Sequence, residues 1–310
     1  MCFVLLFSGC TKVDPVQKDA EKAITDGIKN LIGVGSYSFE LGLDGSFDAL
    51  QGEELSKFTI DGQFLGKIDS KDSLNPKISI SIFGTGALDS ASPETLSGEL
   101  RFNKENLYFK IANLPNLGGE AIPQELLDTF VGKWWQVPIP EDTYTEDNPL
   151  LELSEQDEEK VKELKGLLDE HVMFKDLEYA GEESVKGELS SKYSGKLDKD
   201  SLKGFIIDSR EVSDNPATDE EVAELEKMLN SLTFEGFLYV GQESQKLNKI
   251  AGDLYIKDDT DEQVKEGEFA LSFVLWDFDK PVSLDIPENA ELFNPFMLLG
   301  APEMSLPVAE

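Results

Sequence analysis

The sequence predicts an α+β fold in which one continuous, curved antiparallel β-sheet is covered on one face by amphipathic helices. Three observations lead to this prediction. Most of the chain alternates apolar and polar residues with a period of two, which is typical of strands with one buried face. Short turns rather than helices join most of these segments, as in antiparallel hairpins. Three further segments carry apolar residues at helical spacing and supply surfaces that can cover the sheet.

Composition and charge exclude one class of partner. The chain of 310 residues is long enough to bury a substantial core, and its 40% hydrophobic and 29% charged residues are ordinary for a globular protein. Its 62 acidic and 28 basic residues give a formal net charge of -34, which repels the phosphate backbone of nucleic acids. We therefore expect no nucleic-acid partner, a monomer, and a charge that serves solubility rather than cation storage.

The first ten residues carry a targeting pattern. Residues 1–9 form an apolar run that is too short to cross a bilayer core of ~30 Å and that ends in small residues before Cys10. Ser8, Gly9 and Cys10 resemble the lipobox of bacterial lipoproteins. The resemblance implies that residues 1–9 are a signal peptide and that the Cys10 thiol is diacylated, which anchors an exported protein to the outer face of a bacterial membrane in the cell envelope. A buried apolar strand that ends in a cysteine is the alternative.

The first helix is predicted over residues 16–31, after a short polar tether at residues 10–15. Charged side chains fall on the side of this helix opposite the apolar ones. Gly33 and Gly35 follow the last apolar position and end the helix. The apolar stripe consists of Val16, Ala20, Ile24, Ile28 and Leu31.

A series of strands follows from Ser36. Apolar residues alternate with polar ones in each segment, so each strand has one apolar face and one polar face. A turn at residues 103–106 joins the last two segments into a hairpin. The apolar positions of this meander are Tyr37, Phe39, Leu41 and Leu43; Phe58, Ile60, Phe64 and Ile68; Ile78, Ile80 and Ile82; Leu96, Leu100 and Phe102; and Leu107, Phe109 and Ile111.

Two more helices are predicted from their capping patterns. The second runs from Ser154 to about Glu170, and the third from Thr218 to about Ser231. Each begins with Ser or Thr followed three residues later by an acidic residue, a pairing that satisfies free backbone N–H groups. Their apolar stripes contain Val161, Leu164 and Leu168 in the second helix, and Val222, Leu225, Leu229 and Leu232 in the third.

The rest of the chain returns to a period of two. The loop at residues 138–153 is the strongest candidate for a domain boundary, yet either half alone would leave an open sheet edge. We therefore expect a single domain over residues 16–294, followed by a loosely ordered tail at residues 295–310. The strands predicted after the second helix are residues 185–193, 204–208, 234–240, 252–257, 269–276 and 282–286.

Two passages resemble lipoproteins built on the Lol-carrier (LolA/LolB-like) and LppX/LprG-type fold. The first is residues 107–115 followed by residues 132–137, and the second is residues 249–257 followed by a strand that closes on residues 285–287. The resemblance implies a strongly curved antiparallel half-barrel with amphipathic helices packed on its concave face and an apolar cavity between them. Lipid or lipoprotein carriage is the best-known use of that scaffold, and the resemblance supplies no catalytic residues.

The first hypothesis is therefore a membrane-anchored lipoprotein that binds an apolar ligand, a lipid or acyl chain, in a cavity between the curved sheet and the helices. The alternative is the same fold with a packed core and no ligand, which acts as a structural or interaction lipoprotein on the cell surface. No cofactor is expected. The residues predicted to line the cavity are Ile24, Ile28, Tyr37, Phe39, Phe58, Phe64, Trp134, Trp135, Leu164 and Leu225.

Trp134 and Trp135 are adjacent, so in a strand their side chains face opposite sides of the sheet. One of the two rings is expected to be buried. The other is expected at an exposed rim or in the cavity wall, where an aromatic body suits a lipid or a partner surface, or in the core as well.

Patterns that indicate catalysis are scarce. His171 is the only histidine, so a Ser-His-Asp triad depends on that residue, and a multi-histidine metal site is excluded. Its place at the end of the second helix favours a structural role over catalysis. We expect a protein that is not an enzyme. A carboxylate-dependent hydrolase of cell-envelope glycans is the alternative, because the carboxylates are numerous.

Asp258, Asp259 and Asp261 belong to the densest acidic cluster of the chain. Their oxygens suit a calcium ion, but the segment lacks the glycine and the spacing of an EF-hand loop. An acidic turn between two strands is therefore the favoured interpretation, and a calcium site is the weaker one.

Overall fold

The computed structural model describes residues 15–51, 54–72, 75–89, 91–115, 124–140, 158–257 and 264–294. Within these residues the helices are α1 (Pro15–Lys29), α2 (Gln124–Phe130), α3 (Glu158–Glu170), α4 (Lys199–Val212) and α5 (Asp219–Ser231). The strands are β1 (Ser36–Gln51), β2 (Glu54–Asp69), β3 (Lys77–Leu88), β4 (Glu94–Phe102), β5 (Asn106–Asn113), β6 (Trp134–Pro138), β7 (Phe174–Val185), β8 (Glu188–Leu197), β9 (Leu232–Gly241), β10 (Leu247–Lys257), β11 (Val264–Trp276) and β12 (Glu291–Leu292).

All twelve described strands belong to one sheet, in the order β12-β6-β5-β4-β3-β2-β1-β11-β10-β9-β8-β7. Neighbouring strands are antiparallel except for β12, which pairs with β6 in parallel. The pairing of β1 with β11 joins two meanders, β1 to β6 and β7 to β11, into one open sheet. The α+β class and the continuous, almost entirely antiparallel sheet expected from the sequence are thus confirmed.

The register places the apolar side chains of neighbouring strands on the same side of the sheet. Leu41 of β1 lies opposite Phe64 of β2 and Phe273 of β11. Phe64 in turn lies opposite Ile82 of β3. Because successive side chains of a strand point to opposite sides, this match repeats at every second residue. We call this side the apolar face and the other side the opposite face.

The buried core lies where α1 packs on the apolar face at β7, β9 and β10. Ala20 and Ile24 of α1 are 1% and 2% exposed and belong to one cluster with Leu177 and Leu238. Helix α3 contacts α1 and α4, α4 contacts α5, and α5 contacts β9 and β10. These helices therefore lie at the β7 to β10 part of the sheet. Of the described helices, none is long and apolar enough to span a membrane.

The predicted strand at residues 204–208 is wrong, because these residues lie in α4. Its short apolar run, with Phe205, Ile206 and Ile207, suits a partly buried helix turn as well as a strand. The helix start has a clear cap, since the Asp198 side chain accepts a hydrogen bond of 3.2 Å from the backbone N–H of Ser201.

Two other strand predictions also differ from the structure. Residues 185–193 form the turn and flanking strands of a hairpin, because Lys186 and Gly187 have φ angles of 48° and 91° and reverse the chain between β7 and β8. Residues 282–286 form no strand; the N–H of Val282 donates to Asp69 at the end of β2. The patterns also do not predict α2, the first part of β7, or β12.

The predicted helices are found close to their predicted bounds. Helix α5 opens with a complete capping box, in which Thr218 Oγ1 accepts from the N–H of Glu221 at 3.3 Å and Glu221 Oε2 accepts from the N–H of Thr218 at 2.8 Å. Ser154, the predicted cap of the second helix, lies outside the described residues. So do Cys10 and the tail at residues 295–310.

Candidate apolar binding face

The apolar face of β1 to β5 is built from large side chains that the described part of the protein leaves incompletely covered. None of them is buried, and Ile60 and Leu96 are 36% and 42% exposed. Complete burial of such a side chain is worth about 1.5–3 kcal/mol. The face consists of Tyr37, Phe39, Leu41, Leu43, Phe47, Phe58, Ile60, Phe64, Ile68, Ile78, Ile80, Ile82, Leu88, Leu96, Leu100, Phe102, Leu107, Phe109 and Ile111.

Four of the predicted cavity residues lie together on this face. Tyr37 and Phe39 follow each other along β1, and Phe58 and Phe64 lie on β2. The ring of Phe58 stacks on that of Phe47, with centroids 5.0 Å apart and planes 7° from parallel. Partial burial raises the pKa of Tyr37 above its ordinary value of 10.0, which favours the neutral hydroxyl that an apolar wall needs. The structure thus brings these four residues into one surface.

The other predicted cavity residues lie elsewhere. Ile24 of α1 belongs to the buried core between that helix and the sheet, and Ile28 packs against the same core. Leu164 of α3 and Leu225 of α5 are half-buried on the helices. Helix α4, all of whose residues are described, also has no buried residue, although Leu202, Phe205 and Ile206 share one of its sides.

Trp135 closes the β5 to β6 end of the apolar face. Its side chain is 1% exposed, and its Nε1 donates a hydrogen bond of 3.2 Å to the carbonyl of Phe130. The rings of Phe130 and Phe293 lie 5.3 Å and 6.0 Å from the Trp135 ring, and Phe109 lies 5.2 Å from Phe293. The expectation that one of the two adjacent tryptophans is buried is confirmed by this cluster.

Trp134 points to the opposite face of the sheet. The guanidinium carbon of Arg101 lies 4.7 Å from the centre of its ring, a distance typical of a cation–π contact. Arg101 also bonds to Glu99 at 3.1 Å and donates to the carbonyl of Asp285. The structure therefore places Trp134 away from the apolar face.

Glycines on the apolar face allow close approaches that the sequence patterns do not reveal. Gly195, Gly236 and Gly252 lie opposite one another in β8, β9 and β10. A Cβ atom on Gly252 would lie 2.5 Å from the Cα of Gly236, and one on Gly195 would lie 2.6 Å from a methyl carbon of Leu177. A row of glycines in neighbouring strands is typical of a tight bend in a sheet. The spacing of these glycines at apolar-face positions is the signal that could have found them.

The opposite face carries charged side chains in mutual contact. The Glu183 carboxylate accepts hydrogen bonds of 3.2 Å from each of Lys249, Lys192 and the Tyr239 hydroxyl. The bond from Lys249, followed by that from Lys192, holds the pKa of Glu183 below its usual value. The Lys192 ammonium lies 4.1 Å from the centre of the Phe237 ring. The charged groups lie at the surface over a small buried cluster of Tyr239, Val185 and Val274, so this side of the sheet is polar outside and partly packed beneath.

His171 has the structural position expected for it. It follows the last residue of α3, and its Nε2 lies 2.6 Å from the Asp208 carboxylate of α4. Gly204 of α4 leaves room for the ring, since a Cβ there would lie 2.5 Å from its Cε1 atom. The pair joins two neighbouring helices.

The candidate calcium residues Asp258, Asp259 and Asp261 lie outside the described residues. Among the residues that are described, no group of three or more His, Cys, Asp or Glu side chains is arranged to hold a metal ion.

Comparison with known proteins gives similarity to solved structures only. No family model matches the chain, and no curated protein matches it. LprF from Mycobacterium bovis is similar at 13% identity, with 87% of this chain and 97% of that chain covered and a TM-score of 0.38. The lipoprotein LppX from Mycobacterium tuberculosis is similar at 13% identity, with 86% and 99% covered and a TM-score of 0.35.

Proposed function

We propose that this protein is a membrane-anchored lipoprotein that binds a lipid or another ligand with an acyl chain on the apolar face of β1 to β5. The single observation that carries the proposal is that the large apolar side chains on that described face are only partly buried, with Ile60 and Leu96 exposed and the others intermediate. Contiguous apolar surface of this extent is costly in water, and in soluble proteins it marks a site for an apolar partner.

The fold supports a half-barrel around that ligand. The glycine row at Gly195, Gly236 and Gly252 favours a sharp bend of the sheet towards the apolar face. In this arrangement α3, α4 and α5 lie on the concave side, and the half-buried apolar side chains of α4 provide the second wall. The ligand lies between the helices and the strands, as in other largely apolar sites.

The chemistry of the face favours a chain-like ligand without charge along its length. Between Tyr37 and Ile111 the residues that point to this face are mainly aliphatic or aromatic. Apolar contact is non-directional, so it selects length and shape rather than a particular headgroup. Binding of this kind needs no catalytic group, and we propose carriage or storage rather than an enzymatic reaction.

The N-terminal anchor would place the domain beside its source of ligand. Diacylation of Cys10 would hold the protein at a membrane although its charge of -34 opposes contact with anionic headgroups. A tether at residues 10–15 would leave the domain free of the bilayer.

Native mass spectrometry of the full chain extracted from membranes with mild detergent tests the proposal. We expect mass adducts of several hundred daltons that collisional activation releases as lipid. The measurement is repeated with Ile82→Glu, which puts a charge on the apolar face, and with Phe83→Glu, its neighbour on the opposite face. If the unsubstituted chain carried no adducts, or if both variants carried them equally, the result would favour the alternative, an interaction lipoprotein with a packed core and no ligand.

A further inference from the structure

We infer that Phe293 is an end stop at the β5 to β6 end of the apolar face, and that it limits each apolar chain of the ligand to about sixteen carbons. The inference rests on the proposed function, because it names the length of chain that the face of β1 to β5 accepts. Three features support it: the aromatic wall at that end, the charged rim behind the wall, and the width of the face.

The aromatic wall is built around the ring of Phe293. This ring lies 5.2 Å from that of Phe109 in β5 and 6.0 Å from that of Trp135 in β6, with planes 73° and 80° apart. The ring of Phe130 lies 6.1 Å away at 61°. Edge-to-face contacts of this kind fix the orientation of a ring. Because Trp135 and Phe130 are 1% and 8% exposed, the ring rests on tightly packed side chains, while Phe293 itself is only partly buried and can contact a ligand.

The rim behind this wall is charged. The N–H of Phe293 donates a hydrogen bond of 2.8 Å to the carbonyl of Gln136, which holds its backbone at the β6 edge. Lys133 Nζ lies 3.9 Å from the Glu291 carboxylate and 6.0 Å from the centre of the Trp135 ring. An apolar chain that passed the Phe293 ring would remove water from these charged groups, which is unfavourable. Apolar contact therefore ends at the aromatic wall.

The other end of the face is closed by the core. Leu271 of β11 packs against the buried cluster under α1, and β1 is the next strand of the sheet. Neighbouring strands lie about 4.8 Å apart, so the face from β1 to β5 is about 19 Å wide. A saturated chain advances about 1.25 Å per carbon at ordinary bond lengths and angles. About sixteen carbons therefore fill the face from β1 to the Phe293 ring.

We expect the chain of the ligand to lie across the strands rather than along them. A chain across the strands meets apolar side chains at both of its ends, at β11 and at Phe293. A chain along the strands would end at turns with exposed charged side chains, such as Lys71 and Asp72 after β2 and Lys104 and Glu105 before β5. The first arrangement buries more apolar surface and is the favoured one.

Displacement of a dansylated fatty acid from the full chain by saturated fatty acids of twelve to twenty-two carbons tests the stop. Without a boundary, each two added carbons should lower the Kd by about tenfold. We expect this gain up to about sixteen carbons and a gain of less than about twofold per step beyond that length. In Phe293→Ala the gain should continue to about twenty carbons, because loss of the ring opens about one strand spacing. The Kd of the twenty-carbon acid should then be at least tenfold lower than in the unsubstituted chain, with that of the twelve-carbon acid unchanged within twofold.

Leu292→Ala is the matched control, because Leu292 precedes Phe293 and is 61% exposed. It should keep the profile of the unsubstituted chain. Phe293→Leu retains an apolar contact with the wall and should give an intermediate shift, so it tests the stop even if the alanine variant does not fold.

The outcomes separate the end stop from the proposed function. A profile that levels off at the same length in every variant, that shifts equally in Leu292→Ala, or that shows no limit in the unsubstituted chain would overturn the end stop and leave the proposed function standing. If the unsubstituted chain bound neither the dansylated probe nor any of the acids, the proposed function would be wrong, and the end stop with it.

Discussion

The ring of Phe39 in β1 occupies the space above Gly66 in β2, so that a Cβ atom on this glycine would overlap the ring. The two residues are direct partners in the register of the strands. An aromatic side chain that packs over a glycine in the neighbouring strand stabilises the pair and holds the ring close to the backbone. This contact lies at the β1 to β2 side of the candidate binding face.

Gly66→Ala should destabilise the protein by about 1–3 kcal/mol, because the added methyl group forces Phe39 out of its position. Urea unfolding followed by circular dichroism measures the change. The control is Gly166→Ala in α3, where a Cβ meets nothing within 4 Å. There alanine should raise the free energy of unfolding by about 0.5–1 kcal/mol. If the two substitutions changed the free energy of unfolding equally, the position of the Phe39 ring would not depend on a glycine at position 66.

Ile82→Glu should reduce the binding of an acyl-chain probe by at least tenfold, since a carboxylate on the apolar face must be desolvated when the probe binds. Phe83→Glu should leave binding unchanged because Phe83 lies on the opposite face and is 55% exposed. Fluorescence titration with a dansylated fatty acid measures both. A larger loss in Phe83→Glu would place the ligand on the wrong side of the sheet for our proposal.

The two adjacent tryptophans should differ in their contribution to stability. Trp135→Ala removes a side chain that is 1% exposed and should cost about 3–5 kcal/mol. Trp134→Ala removes a half-buried ring in contact with Arg101 and should cost about 1 kcal/mol or less. The midpoints of urea unfolding show which variant loses more stability. A larger loss in Trp134→Ala would contradict the packing of Trp135 with Phe130 and Phe293.

Helix α5 should lose stability in acid through one carboxylate. Hydrogen bonds from the Thr218 N–H, then from Arg210, lower the pKa of Glu221 from 4.5 to about 2. Because the pKa in the folded protein is the lower one, the stability contributed by the charged form is present above pH 4.5 and is lost as the pH falls towards about 2. Unfolding free energies across this range should fall more steeply in the unsubstituted chain than in Glu221→Gln. Glu220→Gln, which removes a charge from the same turn, should retain the steep profile.

Local patterns were sufficient for the elements whose information is contained in neighbouring residues. The alternation of apolar and polar residues predicts the strands β1 to β5, and the Thr218 and Glu221 pair predicts the start of α5. The run Phe205 to Ile207 shows the limit of this reasoning. Three consecutive apolar residues fit either period, and the hydrogen bond from Ser201 to Asp198 that begins α4 depends on the backbone geometry there.

The sequence by itself determined that this chain forms an acidic, largely antiparallel sheet with capped helices, because charge, period and caps depend on residues close in the chain. Only the tertiary structure decided that β1 pairs with β11, that α1 covers β7, β9 and β10, and that Trp135 rather than Trp134 is buried. These features join residues that are distant in sequence, and their energy comes from contacts that no local pattern contains. The same is true of the partly exposed apolar face, which exists because the described helices pack at one end of a sheet whose apolar side chains continue to the other.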